Sequence, residues 1–431
     1  MRIWLTELAE QLPTSPGRRL MRVGMLAERL ASAGHDVTWW TSTFDHVAKL
    51  QRFPEDSTER VAGNYRIELL HAPGYASNHS LARVRHHRYS AAAFARRAAG
   101  AIAPDLVYCC IPTLEVTEAA LGYATALGIP TVVDVRDLWP DVYLRAVPAV
   151  LRALARVLLA GEYRRARRIL GSATAIVAVS EGYLQWGLRH AGRARAPGDR
   201  VFPHGYPVER FAPEQLAGAR RQLEAVGVDP QRSVCSFVGT FGRTYDLGPV
   251  IATARSMLER DDRRAQFVFA GDGEGALEWR TRAAGLSNVV FTGWLSAAGI
   301  AALLEMSSVG LGAYAAGAPQ GLPNKLYEYL SAGVPILSSL RGEAEALLAG
   351  AGCGVTYSAR DPGSFAAALE SLLADPEQRR AMGRRALAKF ERDFRADAVY
   401  AALVRHLEGI VTPRSRETPQ SGAPRSPARS G

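Results

Sequence analysis

Short apolar runs alternate with stretches of helical periodicity along most of the 431-residue chain, and this alternation limits the fold more than any other feature. Strand candidates in the first half lie at residues 37–40, 106–109, 131–133 and 175–179. The segments between them, such as 20–33 and 116–127, repeat apolar residues at helical spacing. A βαβα order places helices on both faces of a parallel sheet. The pattern therefore predicts the α/β class with a doubly wound sheet.

The pattern restarts after residue 200, with strand candidates at 234–238, 266–270, 289–292, 309–312 and 335–338. The chain is long for a single core, and Gly and Pro cluster at 191–205. We predict two doubly wound domains, residues 1–198 and 199–385, that face a central cleft. Residues 386–411 are predicted to be a helix that packs back on the first domain, and 412–431 a disordered tail.

The net charge of +10 is unevenly distributed. Residues 1–200 carry 26 basic and 18 acidic side chains, 201–411 carry 22 and 23, and the tail carries four and one. Only three of the 52 basic residues are lysine, namely Lys49, Lys325 and Lys389, so arginine richness alone is weak evidence for nucleic acid. No nucleic-acid-binding motif accompanies the charge, and we expect no such partner.

The N-terminus lacks a signal-peptide pattern, and no segment has the roughly 18 charge-free apolar residues that a membrane-spanning helix needs. The cysteines have neither the spacing of a zinc site nor that of a disulfide framework. These observations predict a cytoplasmic protein that at most rests on the inner face of a membrane.

Ligands of doubly wound sheets bind beyond the carboxyl ends of the strands. The loop after the strand at 234–238 contains Gly239, Gly242 and Arg243, and a glycine turn before a helix lets N–H groups approach a phosphate. A plain tight turn is the alternative. Gly271 begins a similar loop, where a turn with a helix-capping acid is equally compatible with the sequence.

A third loop leads into a helix for which Asn324 is the predicted N-cap. Lys325 then lies in the first turn, where a positive charge opposes the helix dipole unless an anion is bound. Glu328 follows three residues later, so both side chains are predicted to face one wall. Lys325 would then hold a diphosphate and Glu328 a ribose. The alternative is an i,i+3 salt bridge on a solvated helix.

Three segments in this order resemble the retaining glycosyltransferases of family 4, which have the GT-B fold of two Rossmann-like domains. They read FVFAGDG at 267–273, VFTGW at 290–294 and NKLYEYLSAGVP at 324–335. The resemblance extends over 1–411, and DLWPD at 137–141 is similar to a subgroup that builds surface polysaccharides and lipopolysaccharide side chains. It implies a nucleotide-sugar donor, expected to be UDP-linked, on the C-terminal domain and an acceptor on the N-terminal domain. It also implies no metal or other cofactor.

The resemblance also implies residue roles. Glu328 matches the second Glu of the family's E-x7-E motif, whereas the first position holds Gln320, which can donate and accept hydrogen bonds but carries no charge. Arg243 and Lys325 are expected on the diphosphate and, with Asp137, in catalysis by front-face attack. The implied donor set is Gly17, Gly239, Gly242, Arg243, Gly271, Gly293, Trp294, Gln320, Gly321, Leu322, Asn324, Lys325 and Glu328.

The expected acceptor residues are His46, Lys49, Arg136 and Asp137. Asp137 follows the strand at 131–135, although a helix N-cap before Trp139 is an equal alternative. Lys49 lies three residues after His46 and is a candidate phosphate ligand, with a solvated loop as the alternative.

Basic stretches at 83–97 and 152–168 lie on this acceptor half. On a helical wheel, Leu151, Leu154, Leu158 and Ile169 share one side, which suits either a helix at an anionic membrane or an ordinary amphipathic helix. A glycan or a polyprenyl-diphosphate-linked acceptor is expected. The alternatives are an enzyme with a soluble small-molecule acceptor and a non-catalytic nucleotide-sugar-binding protein.

Overall fold

The computed structural model describes residues 1–15, 20–78, 80–145, 147–318 and 321–411. The chain divides into two compact units. The first comprises Met1–Phe202 with the segment from Ala401 onward, and the second comprises Pro203–Tyr400. Gly17, Gln320 and the predicted disordered tail at 412–431 lie outside the described residues.

The first unit is built on a mostly parallel sheet. Its strands are β1 (Arg2–Thr6), β2 (Asp36–Ser42), β3 (Phe44–Asp45), β4 (Leu50–Gln51), β5 (Ser57–Ala62), β6 (Tyr65–Leu70), β7 (Leu106–Ile111), β8 (Thr131–Val135), β9 (Ala175–Ala178) and β10 (Arg200–Val201). Within the described residues the sheet order is β10-β9-β8-β7-β1-β2-β6-β5. Only the edge strand β5 runs antiparallel to its neighbour, and β3 and β4 form a separate small hairpin.

The helices of the first unit connect these strands. They are α1 (Arg22–Ser32), α2 (Leu81–Ala99), α3 (Leu114–Ala126), α4 (Asp141–Arg145), α5 (Arg152–Leu158), α6 (Ala160–Ser172) and α7 (Glu181–Ala191), with a 3-10 turn at Ala149–Leu151. The expectation of one amphipathic helix through Leu151 and Ile169 is wrong. The chain breaks between α5 and α6, and Ile169 is buried in the core while the residues of α5 are mostly exposed.

The second unit has a fully parallel sheet. Its strands are β11 (Ser233–Val238), β12 (Ala265–Ala270), β13 (Val289–Gly293), β14 (Ser307–Gly312), β15 (Ile336–Ser338) and β16 (Gly354–Thr356). The order among the described residues is β13-β12-β11-β14-β15-β16. The strand order therefore reverses between β11 and β14, and ligands of such sheets bind at the carboxyl ends of the strands beside that reversal.

The helices of the second unit are α8 (Pro213–Ala225), α9 (Gly248–Glu259), α10 (Ala276–Arg282), α11 (Ala297–Met306), α12 (Asn324–Ser331), α13 (Glu343–Ala351), α14 (Pro362–Ala374) and α15 (Pro376–Asp393), and α16 (Ala396–Val411) leads the chain back to the first unit.

The central strands form because nearly all of their residues are apolar. Every residue of β7 and of β12 is buried, as expected where helices cover both faces of a parallel sheet. In the first unit Trp4 packs edge-to-face against Trp40, with ring centroids 5.0 Å apart. Among the described helices, none is both long enough and apolar enough to cross a membrane.

Candidate functional site

Three loops of the second unit meet at the carboxyl edge of its sheet. The Gly239 N–H, just after β11, donates to the Ala270 carbonyl at 2.9 Å, and the Gly271 N–H, just after β12, donates to the Gly293 carbonyl at 2.8 Å. The Phe241 N–H donates to the Asp272 carbonyl at 2.9 Å. The backbone of each loop is therefore bonded to the next, and we call these three loops the glycine cradle.

Several positions of the glycine cradle have backbone angles that favour glycine, and Gly271 and Gly239 are two of them. Gly271 has φ +134°, and a Cβ there would lie 2.1 Å from the Gly239 carbonyl oxygen. Gly239 has φ +144°, and its Cβ would lie 3.0 Å from Lys325 Nζ. L side chains rarely adopt such angles, and the first contact is with backbone, which cannot rotate away. The glycines thus permit close packing of the two loops and the approach of the lysine.

Lys325 lies at the base of the glycine cradle and is buried. Its ammonium donates a hydrogen bond to the Val238 carbonyl, and Nζ lies 3.3 Å from the ring centroid of Phe237 and 4.7 Å from that of Tyr245. Burial lowers the pKa of Lys325 well below its usual range, and the negative charge of Glu328 opposes this shift. The alternative of a solvated-face salt bridge is therefore wrong for Lys325. Its role on a diphosphate stays a prediction.

Helix α12 begins at Asn324, and Pro323 occupies the N-cap position with extended backbone. The prediction that Asn324 is the N-cap is therefore wrong by one residue. Proline has no side-chain oxygen, so it cannot cap the first-turn N–H groups of α12. A helix N-terminus of this kind carries partial positive charge and favours an anion.

Arg243 is placed differently from Lys325. Its side chain is 90% exposed and pairs with Glu274, also exposed, at 3.2 Å. Exposed pairs of this kind contribute little, about 0–1 kcal/mol, so the guanidinium is not held tightly. Trp294 is likewise exposed, directly after Gly293, which has φ +72°.

One carboxylate near this site was not anticipated from the sequence. A Cβ on Gly321 would lie 2.8 Å from Glu343 Oε2, so this carboxylate lies against the loop that precedes α12. Glu343 is the first residue of α13, after β15. Acidic residues are common in the first turn of helices, so the sequence pattern could not separate this residue from an ordinary one. Leu322 is partly buried in the same loop.

The predicted acceptor residues His46 and Lys49 are brought together in the first unit. His46 Nδ1 is hydrogen-bonded to the Tyr75 hydroxyl, and Lys49 Nζ lies 4.7 Å from the Tyr75 ring centroid. Lys49 Nζ also donates to Asn78 Oδ1 at 2.5 Å. Burial, reinforced by the positive charges of Lys49 and Arg83, lowers the pKa of His46 to about 4. Lys49 is therefore held by neighbours and is not simply a side chain on a solvated loop.

Asp137 has local partners. One carboxylate oxygen accepts from the Leu138 N–H at 2.8 Å, and the other accepts from Trp139 Nε1 at 3.2 Å. The Trp139 ring in turn lies under Arg83, whose Cζ is 4.9 Å from the ring centroid. Asp137 thus orients Trp139, and its predicted contact with an acceptor remains a prediction.

Arg136 forms ion pairs within the first unit. Its guanidinium pairs with Glu7 at 3.1 Å and with Glu10 at 2.7 Å. The Glu10 carboxylate also accepts from the N–H groups of Val23 and Gly24, in the first turn of α1. The expectation that Arg136 binds an acceptor is not supported by this placement, because the carboxylates of the loop after β1 already neutralise its charge.

Among the residues that the structure describes, no group of three or more His, Cys, Asp or Glu side chains is arranged to hold a metal ion. The expectation of metal-free chemistry stays a prediction.

Comparisons with known proteins agree with this geometry. The family model described as Glycosyltransferase Family 4 matches residues 21–210, and the model described as Glycosyl transferases group 1 matches residues 232–375. No curated protein matches the chain. Several solved structures share its fold.

Sucrose-phosphate synthase from Thermosynechococcus elongatus has 17% identity and a TM-score of 0.67, with 95% of this chain and 98% of that chain covered. Anabaena Alr3699/HepE in complex with UDP-glucose has 14% identity and a TM-score of 0.60, with 95% and 100% covered. WaaG, a glycosyltransferase involved in lipopolysaccharide biosynthesis, has 15% identity and a TM-score of 0.61, with 94% and 100% covered.

Two α/β units with mostly parallel sheets, one of which carries a glycine cradle over a buried lysine, have the GT-B fold of these solved structures. Both models describe glycosyltransferases, and the two matched ranges together cover most of the chain; the N-terminal range is the one that matches family 4.

Proposed function

We propose that this glycosyltransferase transfers a hexosyl or N-acetylhexosaminyl group from a UDP-sugar to a glycan or polyprenyl-diphosphate-linked acceptor, with retention of anomeric configuration. The buried Lys325 at the base of the glycine cradle is the observation that carries the proposal. A buried ammonium has a high desolvation cost, and a diphosphate at the cradle would offset that cost. The chemistry of the loop therefore fits an anionic donor.

Two comparisons support the finer assignment. The complex of Anabaena Alr3699/HepE contains UDP-glucose, which supports UDP as the nucleotide. WaaG acts in lipopolysaccharide biosynthesis, which supports a surface-polysaccharide role together with the DLWPD segment at 137–141.

The chemistry follows from the charges at the cradle. Cleavage of the bond between sugar and diphosphate leaves negative charge on the departing UDP. Lys325 and the N-terminus of α12 provide fixed positive charge for it, and Arg243 adds a mobile one. Each preorganised donor of this kind typically contributes about 3 kcal/mol to lowering the barrier. The departing phosphate oxygen accepts the acceptor's proton in a front-face attack, so no carboxylate nucleophile is required.

The test is turnover of radiolabelled UDP-sugars, followed as UDP release with and without added acceptor lipid. We expect Lys325→Met to lower kcat by roughly a hundredfold, and Glu328→Ala to raise KM for the donor. Lys389→Met and Glu305→Ala are matched controls, because they remove the same charges elsewhere in the second unit and should leave turnover unchanged.

Gln320→Glu tests the departure from the family motif and should keep or raise donor affinity. If neither the wild-type protein nor Gln320→Glu turns over any nucleotide sugar while both bind UDP, the chain is a non-catalytic binding protein and the proposed activity is refuted.

A soluble acceptor is the second candidate. The sucrose-phosphate synthase, with a TM-score of 0.67, is named for a small, soluble phosphorylated sugar. Transfer to glucose or fructose phosphates at rates above those with a lipid-linked acceptor would establish this candidate and exclude the lipid-linked one.

We also propose that the first unit rests on an anionic membrane from the cytoplasmic side. The turn at Ala149–Leu151 and α5 expose an apolar surface next to arginines Arg152 and Arg156. Its members and their exposed fractions are Val150 88%, Leu151 50%, Leu154 59%, Val157 70% and Leu158 77%. Contiguous exposed apolar residues of this kind mark interaction surfaces, and adjacent arginines favour anionic headgroups.

Sedimentation with anionic and neutral vesicles tests the membrane proposal. We expect binding to anionic vesicles at low salt, weaker binding at high salt, and loss of binding in Leu154→Asp. Absence of the wild-type protein from the vesicle pellet at low salt would refute it.

A further inference from the structure

A cavity of about 530 Å³ lies in the first unit, beside α2, α4 and α5. This volume is within the range of about 300–1,000 Å³ that is usual for small-molecule sites. Its walls are mainly apolar and aromatic and include Val84, Leu114, Trp139 and Tyr143, together with Leu81 and Leu158, which are mostly exposed to solvent. The cavity therefore suits an aliphatic chain much better than it suits a sugar.

Two polar residues of the cavity wall connect it to the basic cluster of His46 and Lys49. Arg83 and Asn78 both line the cavity. Lys49 Nζ donates to the Asn78 side chain, and an Arg83 N–H donates to the Asn78 carbonyl at 3.1 Å. Arg83 Cζ also lies 6.0 Å from the centroid of the Tyr75 ring that Lys49 contacts. Arg83, in the cavity wall, and Lys49, which contacts the wall residue Asn78, are therefore neighbours.

The acids near these two residues are paired with other side chains, and Asp45, whose charge acts on Lys49, pairs with Arg52 at 2.7 Å. Glu162 pairs with Arg165 at 2.8 Å, and Glu115 contacts His87 at 3.4 Å. Within the described part of the chain, neither Lys49 nor Arg83 has a carboxylate partner, and Arg83 Nε is buried without a hydrogen-bond partner. Guanidinium and ammonium groups form strong charge-assisted hydrogen bonds with phosphate oxygens, so this pair of cations suits a phosphate.

We propose that the first unit binds a phosphate-headed lipid, with the phosphate on Lys49 and Arg83 and the chain in the apolar cavity. This proposal rests on the proposed function, because it names the acceptor as a lipid-linked molecule and gives the chain of that molecule a site. Arginine and lysine are the usual phosphate ligands, and burial of the chain supplies the apolar part of the affinity. Trp139 lines the cavity under Arg83, so an occupant alters its surroundings directly.

The experiment measures binding of farnesyl phosphate to the full chain without any donor, by tryptophan fluorescence. Farnesol and inorganic phosphate are the two comparison ligands. We expect saturable binding of farnesyl phosphate, with each comparison ligand at least about tenfold weaker, because each retains only one half of the recognition. Farnesol that binds as well as farnesyl phosphate, or a farnesyl phosphate signal that does not saturate, overturns the proposal.

Matched pairs of variants test whether the ligand occupies the cavity or the protein surface around it. Ala155→Trp fills the cavity from α5, whereas Ala153→Trp adds the same bulk on the exposed side of that helix. Arg83→Gln removes the proposed phosphate ligand, whereas Arg85→Gln removes an exposed charge on the same helix. We expect about tenfold weaker binding in the first variant of each pair and no change in the second. Equal effects within either pair overturn the assignment, provided that thermal unfolding shows folded protein.

The membrane surface is distinguished by Leu154→Asp, which should reduce sedimentation with vesicles and leave farnesyl phosphate binding intact. Loss of farnesyl phosphate binding in Leu154→Asp places the lipid on the exposed face of α5 and overturns the cavity assignment. The binding assay contains no donor, so its outcome does not depend on whether the protein transfers a sugar. If the protein transfers a sugar to a soluble acceptor but does not bind farnesyl phosphate, the lipid site is refuted and the glycosyltransferase activity is not.

Discussion

Replacing Gly271 by alanine tests whether the three loops of the glycine cradle form one rigid donor site. The φ of +134° costs a non-glycine residue about 1–3 kcal/mol. The added Cβ would lie 2.1 Å from the Gly239 carbonyl oxygen, and relief of this contact requires the backbone to move. Two of the three hydrogen bonds between the loops, those donated by the Gly239 and Gly271 N–H groups at 2.9 and 2.8 Å, then weaken at about 1 kcal/mol each. We expect the free energy of unfolding to fall by about 3–5 kcal/mol.

Two further glycines of the same unit serve as controls that separate the cost of a positive φ from the cost of the clash with an added Cβ. Gly285 has φ +80° with nothing within 4 Å of an added Cβ, so Gly285→Ala measures the backbone cost alone. Gly242 is in the cradle, has no positive φ, and has the same open space. Gly285→Ala should cost about 1 kcal/mol, and Gly242→Ala should leave stability unchanged within about 0.5 kcal/mol.

The assay is thermal unfolding with and without saturating UDP. A loss of 1 kcal/mol shifts the Tm of a unit of this size by about 2–4 °C, so Gly271→Ala should shift it by roughly 10 °C. Gly285→Ala should keep the upward shift that UDP produces, since binding to the folded state alone stabilises by mass action, whereas Gly271→Ala should lose it. A Gly271→Ala protein as stable as Gly285→Ala, or one that keeps the full UDP shift, would refute the reasoning.

The remaining predictions concern three titratable sites. Because burial lowers the pKa of Lys325, the unfolded state binds more protons than the folded state between that lowered pKa and the usual value of 10.5, so stability should rise with pH across this window. Denaturant titrations at a series of pH values should show this rise in wild type but not in Lys325→Met. The Arg22–Asp134 pair is buried at 2.7 Å, so Asp134→Ala should cost about 3–5 kcal/mol, whereas the double variant Arg22→Met/Asp134→Leu should recover much of the loss; equal stabilities of single and double variants would contradict this. NMR titration of His46 should give a pKa of about 4, and stability should fall as pH decreases from 6.5 to that value, a dependence that His46→Gln removes.

Several central strands were predictable because they are buried on both sides, although β6, at Tyr65–Leu70, was missed despite similar burial. The runs at 234–238 and 266–270 correspond to β11 and β12, which consist almost entirely of buried residues. The edge strand β5 was not anticipated. Its residues alternate between partly buried and exposed, and its composition is that of a polar loop. Strand β16 has three partly buried residues, too few for a periodic signal.

The candidate site was predictable where a residue type is chemically unusual for its position. A lysine in the first turn of a helix opposes the helix dipole, and Lys325 was singled out for that reason. Arg136 was predicted to bind an acceptor, but its guanidinium pairs with Glu7 and Glu10. The sequence could not separate these two roles, because an arginine that follows a strand looks the same in both cases. Glu343 was missed for a similar reason, since its approach to Gly321 joins loops that follow different strands.

The sequence by itself determined that this protein has two parallel α/β units, because local apolar periodicity and glycine spacing encode strands, helices and the turns between them. It also singled out Lys49 and Lys325, two of only three lysines in a chain whose other basic residues are arginines. Only the tertiary structure decided that Lys325 is buried under Gly239 and that Lys49 and Arg83 are neighbours beside an apolar cavity. The physical reason is that burial, pKa shifts and cavities depend on groups distant in the chain, and local sequence carries no record of which distant groups will meet.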